Sequence, residues 1–347
     1  MLREFDKYRK DGYIDLNQLD TKTEDKNLPP NIHFSFMYQG EKYYVKKREG
    51  RAGAIREIVN QSIAEALNMD NAQYDIVKYG SHSVGAVTKS FIKEGSEFQT
   101  GKEFLLDNKI IESLSSEKNI YGYIIALLKS GCPIEEVRVK LRIKLERHIM
   151  DILSIQTDRH NENSGFLKTS QSTELAPRFD NAKSFLYDKY QFQRRMFVKS
   201  DYKKRRIFLL KKEYLKVPSL FYNLNTILPV VGGRRDFIDS GNMMEEYWQI
   251  RSGIDIPYAV KSRMAYYILS SDLAITPEEI YQMIQEEMVA IDPFIEKAYS
   301  VDTGKIIREL LDSNIPLTQL EQDLFKAVQD TTQEMFREAK QLVYYRR

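Results

Sequence analysis

Residues 157–166 form a polar run that carries residue types suited to chemistry on a phosphate. The run contains Asp158, and Asn163 follows on the same stretch. A second carboxylate, Asp180, comes after a Ser/Thr-rich turn. Phosphoryl transfer needs a carboxylate that orients the attacking hydroxyl, and oxygen ligands for the metal that bridges the phosphates. Mg²⁺ prefers hard oxygen donors. The combination therefore indicates a phosphoryl-transfer site.

The segments around this run have the periodicity needed to position it. After Pro133, apolar residues recur at three- and four-residue spacing, which predicts a buried helix that ends close to Thr157. Two short strand-like pieces, 165–168 and 175–179, surround the Ser/Thr turn. A hairpin made of these pieces would bring Asp180 back toward the polar run.

The first hundred residues have a different, β-rich pattern. Aromatic and β-branched residues flank a Gly-containing turn and predict a β-hairpin over 32–46. An apolar face with helical spacing follows over 53–67. Strand-like sequence returns over 74–79 and 83–92. This order of elements predicts a compact unit in which strands outnumber helices.

Together these patterns predict an α+β chain with a bilobal, protein-kinase-like fold. Residues 1–30 are polar and charged, and they are predicted to be an arm that precedes the fold. A small β-rich N-terminal lobe is predicted to cover 31–95. A larger helical C-terminal lobe, which contains the catalytic loop, is predicted to cover 96–347.

At the polar run, the sequence resembles the HipA-like kinases, the toxin and effector branch of the protein-kinase-like superfamily. That family carries an Asp-x-His-x-x-Asn loop and then a Leu-x-Pro-x-Tyr-Asp segment. Residues 158–163 and 175–180 match these motifs, with Phe179 in place of the tyrosine. The resemblance covers approximately residues 32–300 and implies an ATP- and Mg²⁺-dependent kinase.

The resemblance also implies roles for the residues of the two motifs. Asp158 is expected to be the catalytic base, and His160 is expected to orient the loop. Asn163 and Asp180 are expected to bind Mg²⁺ and, through it, the nucleotide. These residues are the predicted catalytic centre.

In the N-terminal lobe, the resemblance implies a lysine that contacts the nucleotide phosphates. Lys46 continues the strand alternation and is preferred over Lys47. Glu57, on the following helix, is expected to pair with Lys46. Backbone near 90–93 is expected to contact the nucleotide, and Phe91 is a candidate for packing near the adenine.

The sequence departs from the kinase pattern in one respect, because no glycine-rich phosphate loop precedes Lys46. Two segments are candidates for covering the phosphates instead. One is 21–31, in the predicted arm, and the other is 48–53, directly after the lysine strand.

Composition bears on nucleic-acid binding, disulfide bonding and membrane insertion. Lys plus Arg number 52 against 50 Asp plus Glu, so net charge does not indicate a nucleic-acid partner. The lone cysteine, Cys132, excludes an intrachain disulfide. No apolar run approaches the length of a membrane span. A cytoplasmic location is expected, and export as an effector without a cleaved signal peptide is the alternative. For a basic segment with interleaved aromatic residues, 194–216, a solvated charged face is favoured, and binding of nucleic acid or an acidic protein is the alternative.

The leading hypothesis is a HipA-like protein serine/threonine kinase with an unidentified protein substrate and an antitoxin-type regulator. A phosphoinositide or small-molecule kinase is an alternative, although such enzymes usually carry Asp-Phe-Gly where this chain has Asp180-Asn181-Ala182. A nucleotide-binding regulatory module without transfer activity is a third hypothesis, motivated by the missing glycine-rich loop.

Overall fold

The structure, a computed structural model, has an α+β architecture in which a mixed β-sheet is followed by a mainly helical part. It describes residues 2–19, 32–46, 50–81, 83–110, 120–154, 156, 161–182, 184–185, 258–270, 273–319, 321–323, 325–326, 329 and 333.

The regular elements are numbered in chain order over these residues. The strands are β1 (Arg9–Lys10), β2 (Tyr13–Asp15), β3 (Ile32–Tyr38), β4 (Glu41–Lys46), β5 (Tyr74–Tyr79), β6 (Ser83–Lys89), β7 (Glu97–Thr100), β8 (Gly165–Lys168) and β9 (Thr173–Leu175). The α-helices are α1 (Gly50–Ala66), α2 (Gly101–Asp107), α3 (Ile120–Lys129), α4 (Ile134–Leu153), α5 (Tyr258–Leu269), α6 (Pro277–Ala290), α7 (Asp292–Tyr299) and α8 (Thr303–Asp312). Short 3-10 helices cover Arg3–Tyr8, Leu16–Gln18 and Asn161–Asn163.

Six strands form the larger sheet, in the order β1-β2-β5-β6-β4-β3. The β2–β5 pair is parallel and the other pairs are antiparallel. β3 and β4 form the hairpin that the sequence predicts, so this prediction is confirmed. The helix predicted over 53–67 is also present, and α1 begins three residues earlier.

The two faces of the sheet are buried against different partners. Side chains alternate between the faces of a strand, and Tyr43 and Val45 of β4 pack with the N-terminal residues. Lys46 therefore lies on the opposite face, toward α1. On β5, Tyr74 and Ile76 share that face and belong to the main core, which continues into the helical part. Alternation thus places the buried lysine next to the helix.

The N-terminal residues differ from their prediction as an arm. Residues 2–19 contribute β1 and β2 to the sheet, and Leu2 and Phe5 are fully buried against it. Arg9 donates to both carboxylate oxygens of Asp75, which is buried in β5, at 3.1 and 2.7 Å. For 2–19 the arm prediction is wrong, because few but large apolar side chains and one buried ion pair hold a polar-looking segment on the sheet. The lobe boundaries at 31–95 and 96–347 stay predictions.

In the helical part, a small sheet of order β7-β8-β9 packs against α2. The helix predicted after Pro133 is present, and α4 ends at Leu153. The second hairpin strand, predicted over 175–179, is instead β9 and ends at Leu175. Pro177 explains the early end, because proline has no N–H to donate to the ladder.

Across the described residues, we find no helix with the length and apolar character needed to span a membrane.

Candidate active site

Lys46, the last residue of β4, is a buried cation that contacts two carboxylates. Its Nζ lies 2.8 Å from Oε1 of Glu57 and 2.6 Å from Oδ1 of Asp180. Only 6% of the lysine is exposed. Burial by itself would lower the pKa of Lys46, but the negative charges of Glu57 and Asp180 and the neighbouring Tyr74 raise it well above its usual value. Lys46 is therefore a permanent positive charge at neutral pH.

The backbone of β6 lies very close to the backbone of Lys46. β6 pairs with β4 so that Lys46 lies opposite Ala86. A Cβ atom on the preceding residue, Gly85, would lie only 2.2 Å from the carbonyl oxygen of Lys46. Any larger residue at Gly85 would push the two strands apart and displace the lysine.

Glu57 joins Lys46 to the loop that carries Asp180. It lies on the buried face of α1 and is fully enclosed. While Oε1 accepts from Lys46, Oε2 accepts a hydrogen bond from the backbone N–H of Asn181 at 2.8 Å. The ion pair expected between Lys46 and Glu57 is present. One carboxylate therefore fixes both the strand and the loop.

Asp180 has a left-handed backbone, with φ of 58°. Such a conformation is unfavourable for a residue other than glycine. Hydrogen bonds hold both of its peptide groups: its N–H donates to the hydroxyl of Tyr74 at 3.2 Å, and its carbonyl accepts from Nε2 of Gln156 at 2.9 Å. The Asp180 side chain is 18% exposed, whereas that of Glu57 is fully buried. Asp180 is thus the carboxylate of the pair that an added cation could reach.

The β8–β9 hairpin brings the described part of the polar run, 161–166, close to the Asp180 loop. The Ala176 N–H donates to the carbonyl of Gly165 at 2.9 Å, which extends the pairing beyond β9. Asn163 lies just before this pair, is buried, and lines a cavity of about 20 Å³ together with Pro177 and Arg178. The hairpin predicted to connect the two halves of the site is therefore present, and the metal-binding roles of Asn163 and Asp180 stay predictions.

Asp158 and His160 lie outside the described residues, as does the basic segment 194–216. The same holds for the phosphate-cover candidate 21–31 and for the first two residues of the candidate 48–53. Arg51, in the described part of that second candidate, contacts Glu321 instead. The catalytic roles of Asp158 and His160 stay predictions.

Phe91, the candidate for packing near an adenine, belongs to a cluster of three rings beside Asp180. Its ring centroid lies 5.6 Å from those of Phe98 and Phe179, and the last two are 5.7 Å apart. Phe179 directly precedes Asp180 in sequence. The cluster therefore links the connector after β6 to the Asp180 loop, and adenine contact by Phe91 stays a prediction.

A buried polar network packs against the Asp180 loop, and no pattern in the sequence predicts it. Arg178 donates to Oδ1 of Asp151 on α4, with its closer contact at 2.6 Å, and to Oδ1 of Asn60 on α1 at 3.3 Å. Asn60 also contacts Ser184. All four residues are buried. Contacts over such long sequence separations have no local signal, and Tyr74 was missed for the same reason.

The geometry can be tested for its fit to Mg²⁺ and a nucleotide. Among the described residues, no cluster of three or more His, Cys, Asp and Glu side chains could hold a metal alone. Mg²⁺ usually binds to one or two protein oxygens and completes its shell with phosphates and water. The partly exposed carboxylate of Asp180 lies beside the buried ammonium of Lys46. This pair fits a metal–phosphate complex, because the carboxylate can bind the metal ion and the ammonium can bind the phosphate.

The chain has distant similarity to solved protein structures. No protein-family model and no curated protein matches the chain. Among solved structures, it is similar to the Helicobacter pylori proinflammatory kinase CtkA, with a TM-score of 0.43 and 17% identity over 80% of this chain and 99% of that chain. It is also similar to a chain of the Shewanella oneidensis MR-1 toxin–antitoxin complex of HipA, HipB and operator DNA. That match has a TM-score of 0.42 and 12% identity over 91% of this chain and 65% of that chain. At these values, neither likeness bears on chemistry, so the function proposed below rests on the contacts of the site.

Proposed function

We propose that the chain is an ATP- and Mg²⁺-dependent phosphotransferase, and specifically a protein serine/threonine kinase. The observation that carries the proposal is the contact of the buried Lys46 ammonium with both Glu57 and Asp180. A helix-held glutamate and a loop aspartate on either side of a strand lysine form the arrangement that kinases use to hold nucleotide phosphates and metal.

Each residue has a stated task in this proposal. Lys46 would bind phosphate oxygens while Glu57 keeps it in place, and Asp180 with Asn163 would hold the metal. Asp158 would orient the substrate hydroxyl and accept its proton. Bound Mg-ATP would supply the phosphoryl group and a divalent positive charge. Preorganised charges of this kind stabilise the transition state without reorganisation.

The proposal is tested by incubation with γ-labelled ATP, Mg²⁺ and cell lysate. We expect labelled protein, with the label on serine or threonine after phosphoamino-acid analysis. Asp158→Asn, Asp180→Ala and Lys46→Met should each abolish transfer. Lys89→Met is the matched control, because Lys89 lies in the adjacent strand and pairs with the exposed Glu41; it should retain activity.

Three outcomes would separate this proposal from its alternatives. Label that appears in added phosphoinositides, and not in protein, would favour a lipid kinase. Mg-ATP binding by calorimetry without transfer to any acceptor would favour a regulatory module. Transfer that is unchanged in the Asp158→Asn and Asp180→Ala variants would show that the proposed site is wrong. The protein substrate and an antitoxin-type regulator stay predictions.

A further inference from the structure

The described residues between 314 and 333, here called the C-terminal brace, contact three segments around the candidate site. They reach α1, which carries Glu57; the loop after Asp180; and the end of α4, which leads to the predicted catalytic loop. No motif in the sequence indicates such a role.

The contact with α1 is an ion pair between Arg51 and Glu321. The guanidinium donates to both carboxylate oxygens, at 2.8 and 3.0 Å, and also to the carbonyl of Pro316. The Glu321 side chain is 1% exposed. It also accepts from the N–H and the hydroxyl of Thr318, which fixes its own position. A bidentate arginine–carboxylate pair is directional as well as strong.

The location of Arg51 indicates that this pair does more than stabilise a helix. Arg51 lies in the first turn of α1, where no acidic residue is present. A cation there is unfavourable, because the first turn of a helix carries partial positive charge. Glu321 offsets that cost from outside the helix, so the start of α1 depends on the brace.

The other contacts attach the brace to the remaining parts of the site. The ring of Phe325 lies 4.9 Å from that of Phe185, which follows the Asp180 loop. Nε2 of Gln329 donates to the carbonyl of Leu153, the last residue of α4, at 2.9 Å.

The turn between β1 and β2 also contacts the brace. A Cβ atom at Gly12 would lie only 1.9 Å from the carbonyl oxygen of Asn314, so only glycine fits there. Its φ of 80° also suits glycine.

We infer that Arg51 and Glu321 form a positioning pair for phosphoryl transfer: they fix the start of α1 and thereby hold Glu57 against Lys46 and the Asp180 loop. The inference rests on the proposed kinase function. Glu57 lies less than two turns after Arg51 on a single helix. A shift at the start of α1 is therefore transmitted to Glu57 through a continuous backbone.

The test compares Glu321→Gln with Glu287→Gln in the full chain. Glu287 is a matched control, because it is 5% exposed, accepts from Arg138 and Arg142, and joins α6 to α4 away from the site. Glutamine at 321 can still accept from Thr318. Both variants should lower Tm, but only Glu321→Gln should lower kcat, by up to about 100-fold, because a small displacement of a catalytic group from a distant change has an effect of that size. Arg51→Lys should lower kcat by a smaller factor, because lysine keeps the positive charge but cannot donate to both carboxylate oxygens of Glu321 at once.

Two readouts keep the inference open to refutation. The double variant Arg51→Glu/Glu321→Arg should recover part of the lost kcat. Amide hydrogen exchange over 50–66 should be faster in Glu321→Gln and unchanged in Glu287→Gln. Equal kcat losses in the two glutamine variants, or unchanged exchange in α1, would overturn the inference. If the wild type transfers no phosphate but the exchange result holds, the kinase proposal fails and the positioning of α1 stands.

Discussion

Single residues in the candidate site are held by contacts on more than one side. Asp180 is the clearest case, because its N–H donates to the Tyr74 hydroxyl and its carbonyl accepts from Gln156, so both of its peptide groups are fixed. A left-handed backbone at such a residue costs on the order of 1 kcal/mol and persists only where the surroundings enforce it. The hydroxyl of Tyr74 therefore helps to fix the orientation of the Asp180 carboxylate.

Tyr74→Phe should weaken the response to metal while it leaves the fold intact. The ring stays in the core, but the acceptor for the Asp180 N–H is lost. We expect the Mg²⁺ concentration at half-maximal transfer to rise about tenfold, with a stability loss of about 1 kcal/mol. Tyr79→Phe is the control in the same strand, since the structure shows no hydrogen-bond partner for the Tyr79 hydroxyl among the described residues. Equal Mg²⁺ curves for both variants would contradict this role.

The candidate site residues illustrate what a sequence can indicate at this scale. Lys46 and Glu57 were predictable because the resemblance to kinases implies a lysine and a glutamate at these places, and strand alternation favoured Lys46 over Lys47. Tyr74 and Gln156 were not, because each acts on Asp180 through one hydrogen bond that has no spacing rule.

At the scale of elements, the buried guanidinium of Arg178 connects the Asp180 loop to α1 and α4. Arg178 donates to Asp151 across these elements, and both side chains are almost fully enclosed. A buried pair of this kind adds little net stability when intact, but loss of one partner leaves a charge that is costly to bury.

Asp151→Asn should therefore reduce the free energy of unfolding by about 3–5 kcal/mol. Urea unfolding followed by circular dichroism measures this loss. Glu309→Gln on α8 is the control, because Glu309 and its partner Lys305 are both exposed, and it should cost less than about 1 kcal/mol. A similar small loss for Asp151→Asn would show that the network does not hold the loop.

Elements with local patterns were predictable, and their ends were less so. The β3–β4 hairpin, α1 and α4 follow from periodicity in the sequence. β9 ends earlier than predicted because Pro177 cannot pair, although an apolar residue, Phe179, lies farther on. The aromatic cluster with Phe91 uses that residue for packing instead.

For the molecule as a whole, the sheet is covered on both faces. α1 and the helical core cover one face, and residues 2–19 cover the other. The N-terminal residues were mistaken for an arm because their composition is polar, and only a few of their side chains bury apolar surface.

Phe5→Ala tests whether the N-terminal residues are part of the fold. Phe5 is fully buried against Phe36, Tyr38 and Tyr43. We expect a loss of about 3–5 kcal/mol in the free energy of unfolding. Met37→Ala, an exposed site on β3, should cost much less. A loss below about 1 kcal/mol for Phe5→Ala would restore the description of this segment as an arm.

The Arg51–Glu321 pair should make stability depend on pH. Burial by itself would raise the pKa of Glu321, but hydrogen bonds from Arg51 and Thr318 lower it below its usual value. A lowered pKa in the folded state means that the contribution is present at neutral pH and is lost as the pH falls through the folded-state pKa. The difference in unfolding free energy between wild type and Glu321→Gln should therefore shrink between pH 7 and about pH 3. A constant difference over this range would contradict the lowered pKa.

The two carboxylate oxygens of Glu57 accept hydrogen bonds from different elements, one from Lys46 on β4 and the other from Asn181 in the loop. The position of α1 therefore determines the position of both. An outward swing of the helix would break its links to Lys46 and Asn181 in one movement. Partial disassembly of the site is therefore disfavoured. A small molecule that wedges α1 away from the sheet would disable both halves together.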